Sequence, residues 1–275
     1  MASPPQTAPM RYTRHSIQYL ICSLIIGAVP LLGGVKLQVR EGRPIVDGVY
    51  VNGHGPYRFL LDTGANVNLI ETGLARKIAI NATSQVALAS VARNTQTLAS
   101  DGNEVVLDSV KAERQKFLFS GLEAIRETSP DIQGVLGQWF LSQFDYLLDL
   151  HGKRLEFGKQ DRNRTRTPFE MINARPVIST SLGELALDSG AGRLVLFGVK
   201  PDVGPGLKGE LRTLAGSQQI GMVTSKPLAI NGRKIWSGDA VAIPNRPEPG
   251  VDGLLPLGLF KTIFVCNSEG YVIFE

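Results

Sequence analysis

The sequence is poor in the residues that build metal centres and disulfide bonds. It contains 2 cysteines and 3 histidines among 275 residues. Cys22 lies in an apolar segment near the start and Cys266 lies near the end. The main part of the chain therefore cannot form an internal disulfide and must rely on its hydrophobic core. No group of cysteine and histidine has the spacing of metal ligands, so we expect neither a metal nor a cofactor.

The signatures of nucleotide binding, of serine hydrolases and of nucleic-acid binding are also missing. There is no Walker A motif and no G-x-S-x-G elbow. The glycine-rich stretch 204–209 (GPGLKG) contains a proline, which lacks an N–H group that a phosphate would need. The formal net charge is only +4, and no basic run is interleaved with aromatic residues. Nucleic acid is therefore not an expected partner.

One long apolar run is present, close to the start of the chain. Residues 17–32 (IQYLICSLIIGAVPLL) follow the basic residues Arg11 and Arg14. This order is typical of a secretion signal, and about 17 apolar residues can also span a membrane. No clean pair of small residues marks a cleavage site, so a cleaved signal and an uncleaved membrane anchor both stay open. We assign residues 1–36 to this signal or anchor and expect residues 17–32 to form an apolar helix. We expect the rest of the chain to be exported, periplasmic or membrane-anchored outside the cytoplasm.

The most informative feature is a duplication. Residues 59–65 (FLLDTGA) and 185–191 (LALDSGA) each run from an apolar strand into Asp-[Thr/Ser]-Gly-Ala. An apolar-Gly-apolar-apolar element follows each copy, at 132–137 (IQGVLG) and at 251–256 (VDGLLP). A single Asp-Thr-Gly is usually only a turn. Two copies in the same context predict two versions of one ancestral unit.

The rest of the chain favours β-structure with many tight turns, as its 30 glycines indicate. Apolar alternation and turn residues predict the following elements. They are a strand at 44–51, a turn at 52–56, a turn at 101–103 between strands at 97–98 and 105–107, an Asn-Gly hairpin at 229–235, closing strand-turn-strand units at 146–157 and 263–274, a helix at 71–78 and a short helix near Gln138.

The duplicated arrangement resembles the pepsin-like and retropepsin-like aspartic peptidases, and especially their single-chain bacterial members, over roughly residues 43–275. The resemblance implies an all-β fold of two pseudo-symmetric β-lobes of the acid-protease type, with a cleft between them. We assign the lobes to residues 37–160 and 161–275, joined through the polar stretch 158–167. The resemblance also implies a polypeptide or peptide substrate. We expect a monomer, and the apolar N-terminal segment predicts membrane contact only if it stays uncleaved.

Asp62 and Asp188 are the catalytic residues that the resemblance implies, and their chemistry suits hydrolysis by an activated water. Two adjacent carboxyl groups cannot both ionise easily, so they share a proton. The ionised member takes a proton from water, and the protonated member hydrogen-bonds the substrate carbonyl. The supporting residues are Thr63 and Ser189, which can hydrogen-bond across the lobe junction, and Gly64 and Gly190, which let the backbone approach the carboxylates.

Three departures from the family pattern predict differences from pepsin. The flap candidates, which would cover the cleft, lack the tyrosine of pepsin-like flaps; they are Ala92, Arg93 and Asn94 in the first lobe and Ala215, Gly216 and Ser217 in the second. Pro256 replaces the second glycine of the apolar-Gly element. Ala65 and Ala191 stand where pepsin-like members often carry a hydroxyl. With fewer donors to the carboxylates, we expect higher pKa values and activity at mildly acidic or near-neutral pH.

Two other interpretations stay open on the sequence alone. One is a catalytically inactive peptide-binding module on the same bilobal scaffold. The other is a structural β-protein in which the Asp-Gly positions are only turns. The second alternative predicts that Asp62 and Asp188 do not approach one another, whereas a turnover assay on unfolded protein distinguishes the first alternative from an enzyme.

Overall fold

The computed structural model describes residues 34–89, 94–158, 164–202, 208–213 and 216–275. The regular secondary structure of these residues is almost all β, as predicted. The predicted N-terminal helix at 17–32 and the lobe boundary at 160/161 both lie outside the described residues. Among the residues that are described, no helix has the length and apolar character needed to cross a membrane.

The secondary structure consists of 23 strands and three short α-helices within the described residues. The strands are β1 Val35–Arg40, β2 Arg43–Val51, β3 His54–Leu61, β4 Asn68–Glu71, β5 Ser84–Ala89, β6 Asn94–Leu107, β7 Val110–Ser120, β8 Gly134–Leu136, β9 Tyr146–Asp149, β10 Arg154–Phe157, β11 Thr167–Pro168, β12 Glu170–Ile172, β13 Arg175–Thr180, β14 Gly183–Asp188, β15 Val195–Phe197, β16 Lys208–Thr213, β17 Gly216–Thr224, β18 Leu228–Ile230, β19 Arg233–Trp236, β20 Asp239–Ile243, β21 Gly253–Pro256, β22 Thr262–Cys266 and β23 Tyr271–Phe274. The helices are α1 Thr72–Lys77, α2 Glu123–Arg126 and α3 Gln138–Leu141, and a 3₁₀ turn covers Leu257–Leu259.

The two halves of the chain repeat one strand order. In the first half the order across the sheet is β1-β2-β3-β8-β4-β7-β6-β5, and in the second it is β12-β13-β14-β21-β15-β20-β17-β16. The matched strands also pair in the same sense: β3 with β8 and β14 with β21 are parallel, whereas β2 with β3 and β13 with β14 are antiparallel. The two pseudo-symmetric β-lobes predicted from the duplicated motif are therefore present.

A third set of strands joins the halves. The closing strand β9 of the first half pairs antiparallel with the closing strand β22 of the second, with Leu147 opposite Phe264. Strands β10 and β1 extend this sheet on one side, and β23 and β11 extend it on the other. Because β1 pairs with both β10 and β2, the joining strands and the first lobe form one 13-stranded sheet.

The hydrophobic core passes beneath the two aspartate loops. Leu61 and Leu187, the residues immediately before Asp62 and Asp188, are buried in one apolar cluster that draws on both halves of the chain. Phe59 packs edge-on against Phe117, with ring centroids 6.3 Å apart. This burial keeps the ends of both strands away from water and supplies a rigid floor for the loops.

The predicted helices near 71–78 and near Gln138 are confirmed. The carboxylate of Glu71 caps α1 by accepting from the amides of Gly73 and Leu74 at 2.9 and 2.7 Å. The Asn-Gly hairpin is confirmed as β18 and β19, which flank Asn231 and Gly232.

Two turn predictions need correction. The predicted turn at 101–103 is wrong, because β6 continues through it as a bulge with a register shift against β7. Gly102 takes a positive φ of 80°, and the Asn103 side chain donates to the carbonyls of Ser100 and Gln115, which holds the bulge in the strand. The predicted turn at 52–56 is shorter than expected, since β3 already begins at His54.

Candidate active site

Each aspartate of the duplicated motif lies at the end of a buried strand. Asp62 follows β3 directly, and its amide donates to the carbonyl of Leu136 in β8 at 3.0 Å. Asp188 is the last residue of β14 and stands opposite Pro256 of β21. The two apolar-Gly elements therefore flank the two aspartate strands as the repeat predicted.

The two carboxyl groups lie close together, in the space that the two loop glycines leave open. A Cβ atom added to Gly64 would lie 2.4 Å from Cγ of Asp188. A Cβ atom added to Gly190 would lie 2.7 Å from Cγ of Asp62. Only glycine allows these approaches, since real Cβ atoms do not come so near to other heavy atoms. The interpretation as a structural β-protein with unrelated turns is therefore wrong.

Crossed hydrogen bonds hold the two loops to one another. The amide of Thr63 donates to Oγ of Ser189 at 3.0 Å, and the amide of Ser189 donates to Oγ1 of Thr63 at 2.9 Å. Each hydroxyl donates in turn to the carbonyl before the other aspartate, Oγ1 of Thr63 to Leu187 and Oγ of Ser189 to Leu61. The predicted contact of these two side chains across the lobe junction is present, and both are buried.

The surroundings of the pair favour a shared proton. Asp62 and Asp188 are only 7% and 8% exposed. Burial and, next, the negative charge of Asp188 together raise the pKa of Asp62 to about 8, although hydrogen bonds from the amides of Gly64 and Ala65 act in the opposite direction. Burial also raises the pKa of Asp188. A carboxyl pair with pKa values raised in this way retains a proton well above the pH at which an exposed aspartate loses it.

A buried arginine, Arg175, lies beside the pair and was missed in the sequence analysis. Arg175 is 7% exposed, and its Nη1 donates to the carbonyl of Gly64 at 3.2 Å. Its positive charge lowers the pKa of Asp188. The signal that would have found it is a second repeat, Arg-Pro followed by two β-branched residues, at 43–46 (RPIV) and 175–178 (RPVI).

The hydrogen bonds that support the two aspartate loops differ, because both the donor and the acceptor of one bond are replaced in the second lobe. In the first lobe the amide of Gly137 donates to Oδ1 of Asn68 at 3.0 Å, and Nε2 of Gln138 donates to the carbonyl of Thr63 at 2.8 Å. By strand register, the second lobe has Leu194 and Pro256 in place of Asn68 and Gly137. Proline has no N–H group, so no acceptor is needed there. Pro256 therefore removes this hydrogen bond from the second lobe, as predicted, and the apolar Leu194 stands where the first lobe has the acceptor Asn68.

The flap candidates fall at the ends of two equivalent hairpins. Asn94 begins β6, which pairs with β5, and Gly216 and Ser217 begin β17, which pairs with β16. The other three candidates, Ala92, Arg93 and Ala215, lie outside the described residues. The structure thus gives both lobes a hairpin at the predicted place, and the covering role stays a prediction.

A cavity of about 470 Å³ lies next to the second aspartate loop. Its walls come from the β1–β2 turn, the loop after Asp188, β19, β20 and the 3₁₀ turn; they include Glu41, Arg193, Trp236, Asp239 and Leu259. Over the described part of the chain, no group of three or more His, Cys, Asp or Glu side chains is placed to hold a metal ion.

Comparison with known proteins gives a family match in the first lobe. Residues 48–140 match the family model described as aspartyl protease. No sequence among curated proteins matches the chain. A retropepsin-like aspartic protease from Rickettsia conorii is 21% identical, with 45% of this chain and 86% of that chain covered and a TM-score of 0.33.

Two larger solved structures cover more of this chain. The aspartic proteinase from Irpex lacteus is 14% identical, with 87% of this chain and 96% of that chain covered and a TM-score of 0.49. Basic 7S globulin from soybean is 13% identical, with 88% and 94% covered and a TM-score of 0.48. These TM-scores carry no argument, so the likeness depends on residues 48–140. The matched residues contain Asp62-Thr63-Gly64, and the first lobe is therefore similar to the aspartyl protease family at the first aspartate motif.

Proposed function

We propose that this chain is an aspartic endopeptidase that hydrolyses peptide bonds with a water activated between Asp62 and Asp188. The observation that supports this most directly is the approach of the two carboxyl groups, each in the space left by the other loop's glycine. The crossed hydrogen bonds of Thr63 and Ser189 fix that approach. A fixed pair of acid and base needs no reorganisation when the substrate binds.

In the proposed reaction the ionised carboxylate removes a proton from the water as the water oxygen bonds to the peptide carbonyl carbon. The other carboxyl gives its proton to the carbonyl oxygen, which produces a gem-diol. The first carboxyl then protonates the amide nitrogen, and the second takes back a hydroxyl proton as the C–N bond breaks. The pair again holds one proton at the end, so the cycle balances without a metal or a covalent intermediate.

The proposed substrate is an extended polypeptide bound along the cleft. We expect the β5–β6 and β16–β17 hairpins to lie on the two sides of the cleft, where their strand edges would pair with the backbone of a strand-like peptide. The 470 Å³ cavity beside Ala191 has the size to take a substrate side chain. One chain supplies both aspartates, so we propose that the monomer is active.

We further propose that residues 17–32 direct the protein out of the cytoplasm, as a signal or an anchor. Cell fractionation with a C-terminal tag tests this part separately. Full-length protein that is freely soluble in the cytoplasm would contradict it, without any bearing on the peptidase activity.

The decisive experiment is digestion of a denatured protein by the purified full chain, solubilised in detergent if required, across pH 3 to 8. We expect cleavage by the wild type and none by Asp62→Asn or Asp188→Asn, with folding of each variant checked by circular dichroism. Substantial cleavage by either variant would contradict the mechanism. Peptide binding without turnover in the wild type would instead identify a binding module.

A further inference from the structure

The two halves carry equivalent arginines at the start of equivalent strands. Arg43 begins β2 and Arg175 begins β13, and a proline follows each. In the β2–β3 ladder Ile45 stands opposite Leu60, and in the β13–β14 ladder Val177 stands opposite Ala186. Continuing both registers by two residues sets Arg43 level with Asp62 and Arg175 level with Asp188. Strand register thus places one arginine opposite each aspartate, on the neighbouring strand.

The side chains break this symmetry. Arg43 forms an ion pair with Glu41, and the two side chains are 24% and 58% exposed. Arg175 is instead almost fully buried, and its Nη1 donates across the lobe junction to the carbonyl of Gly64, in the loop that follows Asp62. A solvated ion pair has little effect on its neighbours, whereas a buried guanidinium acts strongly on a nearby carboxylate.

The position of Arg175 is itself fixed by a second partner. Its Nη2 binds Oε2 of Glu248, and Nδ2 of Asn173 donates to the same oxygen at 3.3 Å. Asn173 lies two residues before Arg175, as Glu41 lies two residues before Arg43. In the first copy the carboxylate of Glu41 binds the arginine away from the aspartates. In the second copy the neutral amide of Asn173 stands at the equivalent position.

We propose that Arg175 is a positioning residue that makes the two aspartates inequivalent, so that Asp188 carries the negative charge and Asp62 carries the proton. This inference rests on the proposed function, in which the pair works with one proton. On this assignment Asp188 removes the proton from the attacking water, and Asp62 donates to the substrate carbonyl. The crossed hydrogen bonds alone do not distinguish the two residues, because they treat both loops alike.

The other groups around Asp188 agree with this assignment. The charged groups facing it are Asp62 from the first loop and Arg175 from β13, and the amides of Gly190 and Ala191 donate from its own loop. Among these, the arginine favours the ionised form and Asp62 opposes a second charge. Glu248 faces Arg175 and offsets part of its charge.

The test is a titration of the two carboxyl groups by carbon-13 NMR in the full chain labelled at the aspartate carboxyl carbons. The signals are assigned by their loss in Asp62→Asn and in Asp188→Asn. We expect the lower of the two titrations to belong to Asp188. In Arg175→Gln that titration moves up by about 1 to 3 pH units, the range for a carboxylate that loses an adjacent arginine.

Three further variants sharpen the test. Arg43→Gln, the pseudo-symmetric control, leaves the lower titration in place. Glu248→Gln moves it down, since the charge of Arg175 is no longer offset, and Arg175→Lys keeps it near the wild-type value. If Arg175→Gln does not fold, the downward shift of the lower titration expected in Glu248→Gln still tests the inference. Equal shifts in Arg175→Gln and Arg43→Gln, or an upward shift in Glu248→Gln, would overturn the inference.

Activity measurements separate this inference from the proposed function. If the wild type hydrolyses peptides, the acid limb of its pH–rate profile follows the Asp188 titration in each variant. If it hydrolyses none, the peptidase proposal fails, while the NMR titrations still show whether Arg175 makes the aspartates inequivalent.

Discussion

Thr63 and Ser189 exchange a reciprocal pair of hydrogen bonds, in which each amide donates to the other's hydroxyl oxygen, at 3.0 and 2.9 Å. Both residues are 1% exposed. The two hydroxyls also donate to the carbonyls of Leu61 and Leu187, so each hydroxyl both accepts and donates a hydrogen bond between the lobes. The separation of the two aspartates is therefore set by bonds between the lobes rather than within either lobe.

This relationship predicts strong energetic coupling between the two residues. Thr63→Val and Ser189→Ala each leave a buried amide without its acceptor, which costs about 1–3 kcal/mol for each unsatisfied group. We expect the double variant to lose less stability than the sum of the single losses, because both remove one shared network. Urea denaturation of the four proteins measures this. Simple additivity would show that the crossed bonds do not act as a unit.

The glycines of the second aspartate loop predict that an alanine substitution strongly reduces activity at one position and is tolerated two residues further on. Gly190→Ala brings a Cβ within 2.7 Å of Cγ of Asp62, so the carboxyl must move and turnover should fall at least 100-fold. Gly192→Ala, two residues further on, is the matched control, because its nearest atom is the Glu41 carbonyl oxygen at an ordinary 3.6 Å. Steady-state kinetics on one peptide compare the two. Similar activity in both variants would contradict the role of Gly190.

The buried pair predicts that stability falls as pH rises. Because the folded-state pKa of Asp62 is raised to about 8, its contribution is fully present below the unfolded pKa of about 4 and is lost as pH rises through 8. Asp62→Asn cannot ionise, so we expect a smaller loss of stability between pH 5 and pH 8. Urea unfolding at both pH values measures this.

Asp131 provides a control of opposite sign. Its hydrogen bond from Arg40 holds the pKa of Asp131 below its usual range, so its contribution is present above pH 4 and lost in acid. Asp131→Asn should therefore destabilise the protein at neutral pH and leave the decline between pH 5 and pH 8 in place. A wild type that is equally stable at pH 5 and pH 8 would argue against a buried pair that retains its proton.

The alanines that follow the two Asp-[Thr/Ser]-Gly motifs predict that serine substitutions shift the pH–rate profile of hydrolysis. Ala65 and Ala191 donate only through their amides, to Asp62 at 3.2 Å and to Asp188 at 2.8 Å. Ala65→Ser and Ala191→Ser each add a hydroxyl donor, which favours the ionised carboxylate, so the limbs of the pH–rate profile should move to lower pH. The exposed Ala82→Ser serves as the control. Limbs that stay in place, or an acid limb that rises, would contradict the hydrogen-bond argument.

The sequence was enough to predict the site residues that belong to the repeated motif itself. Asp62 and Asp188 were found because each follows an apolar strand within a repeated motif, and Thr63 and Ser189 were placed with them. Arg175 was missed because its role depends on strand register and on a partner, Glu248, that is distant along the chain. Its equivalent Arg43 lies in the same Arg-Pro strand motif but pairs with Glu41, two residues before it, where the second copy has Asn173. The repeated Arg-Pro motif alone does not show which of the two arginines turns towards the aspartates.

The same limit explains the turn that was wrongly predicted at Asp101, Gly102 and Asn103. Turn residues there are compatible with a hairpin or with a bulge, and the choice depends on what the strand pairs with. Here Asn52 donates to Oδ1 of Asn103 at 2.9 Å, and the Asn103 amide group bonds back to Ser100 and Gln115. The contacts with Asn52, in the turn after β2, and with Gln115, in β7, come from other parts of the fold, which the local sequence does not reveal.

The pairing of β9 with β22 has a consequence for the timing of synthesis. A chain made only as far as residue 252 already contains Asp62 and Asp188, but it lacks β21, which flanks the strand of Asp188, and β22, which joins the lobes. Translation proceeds from the N-terminus, so the aspartates are made long before the strands that bring them together. On the proposed function, an unfinished chain is therefore inert, and the order of synthesis itself delays proteolysis until the ribosome has passed Cys266.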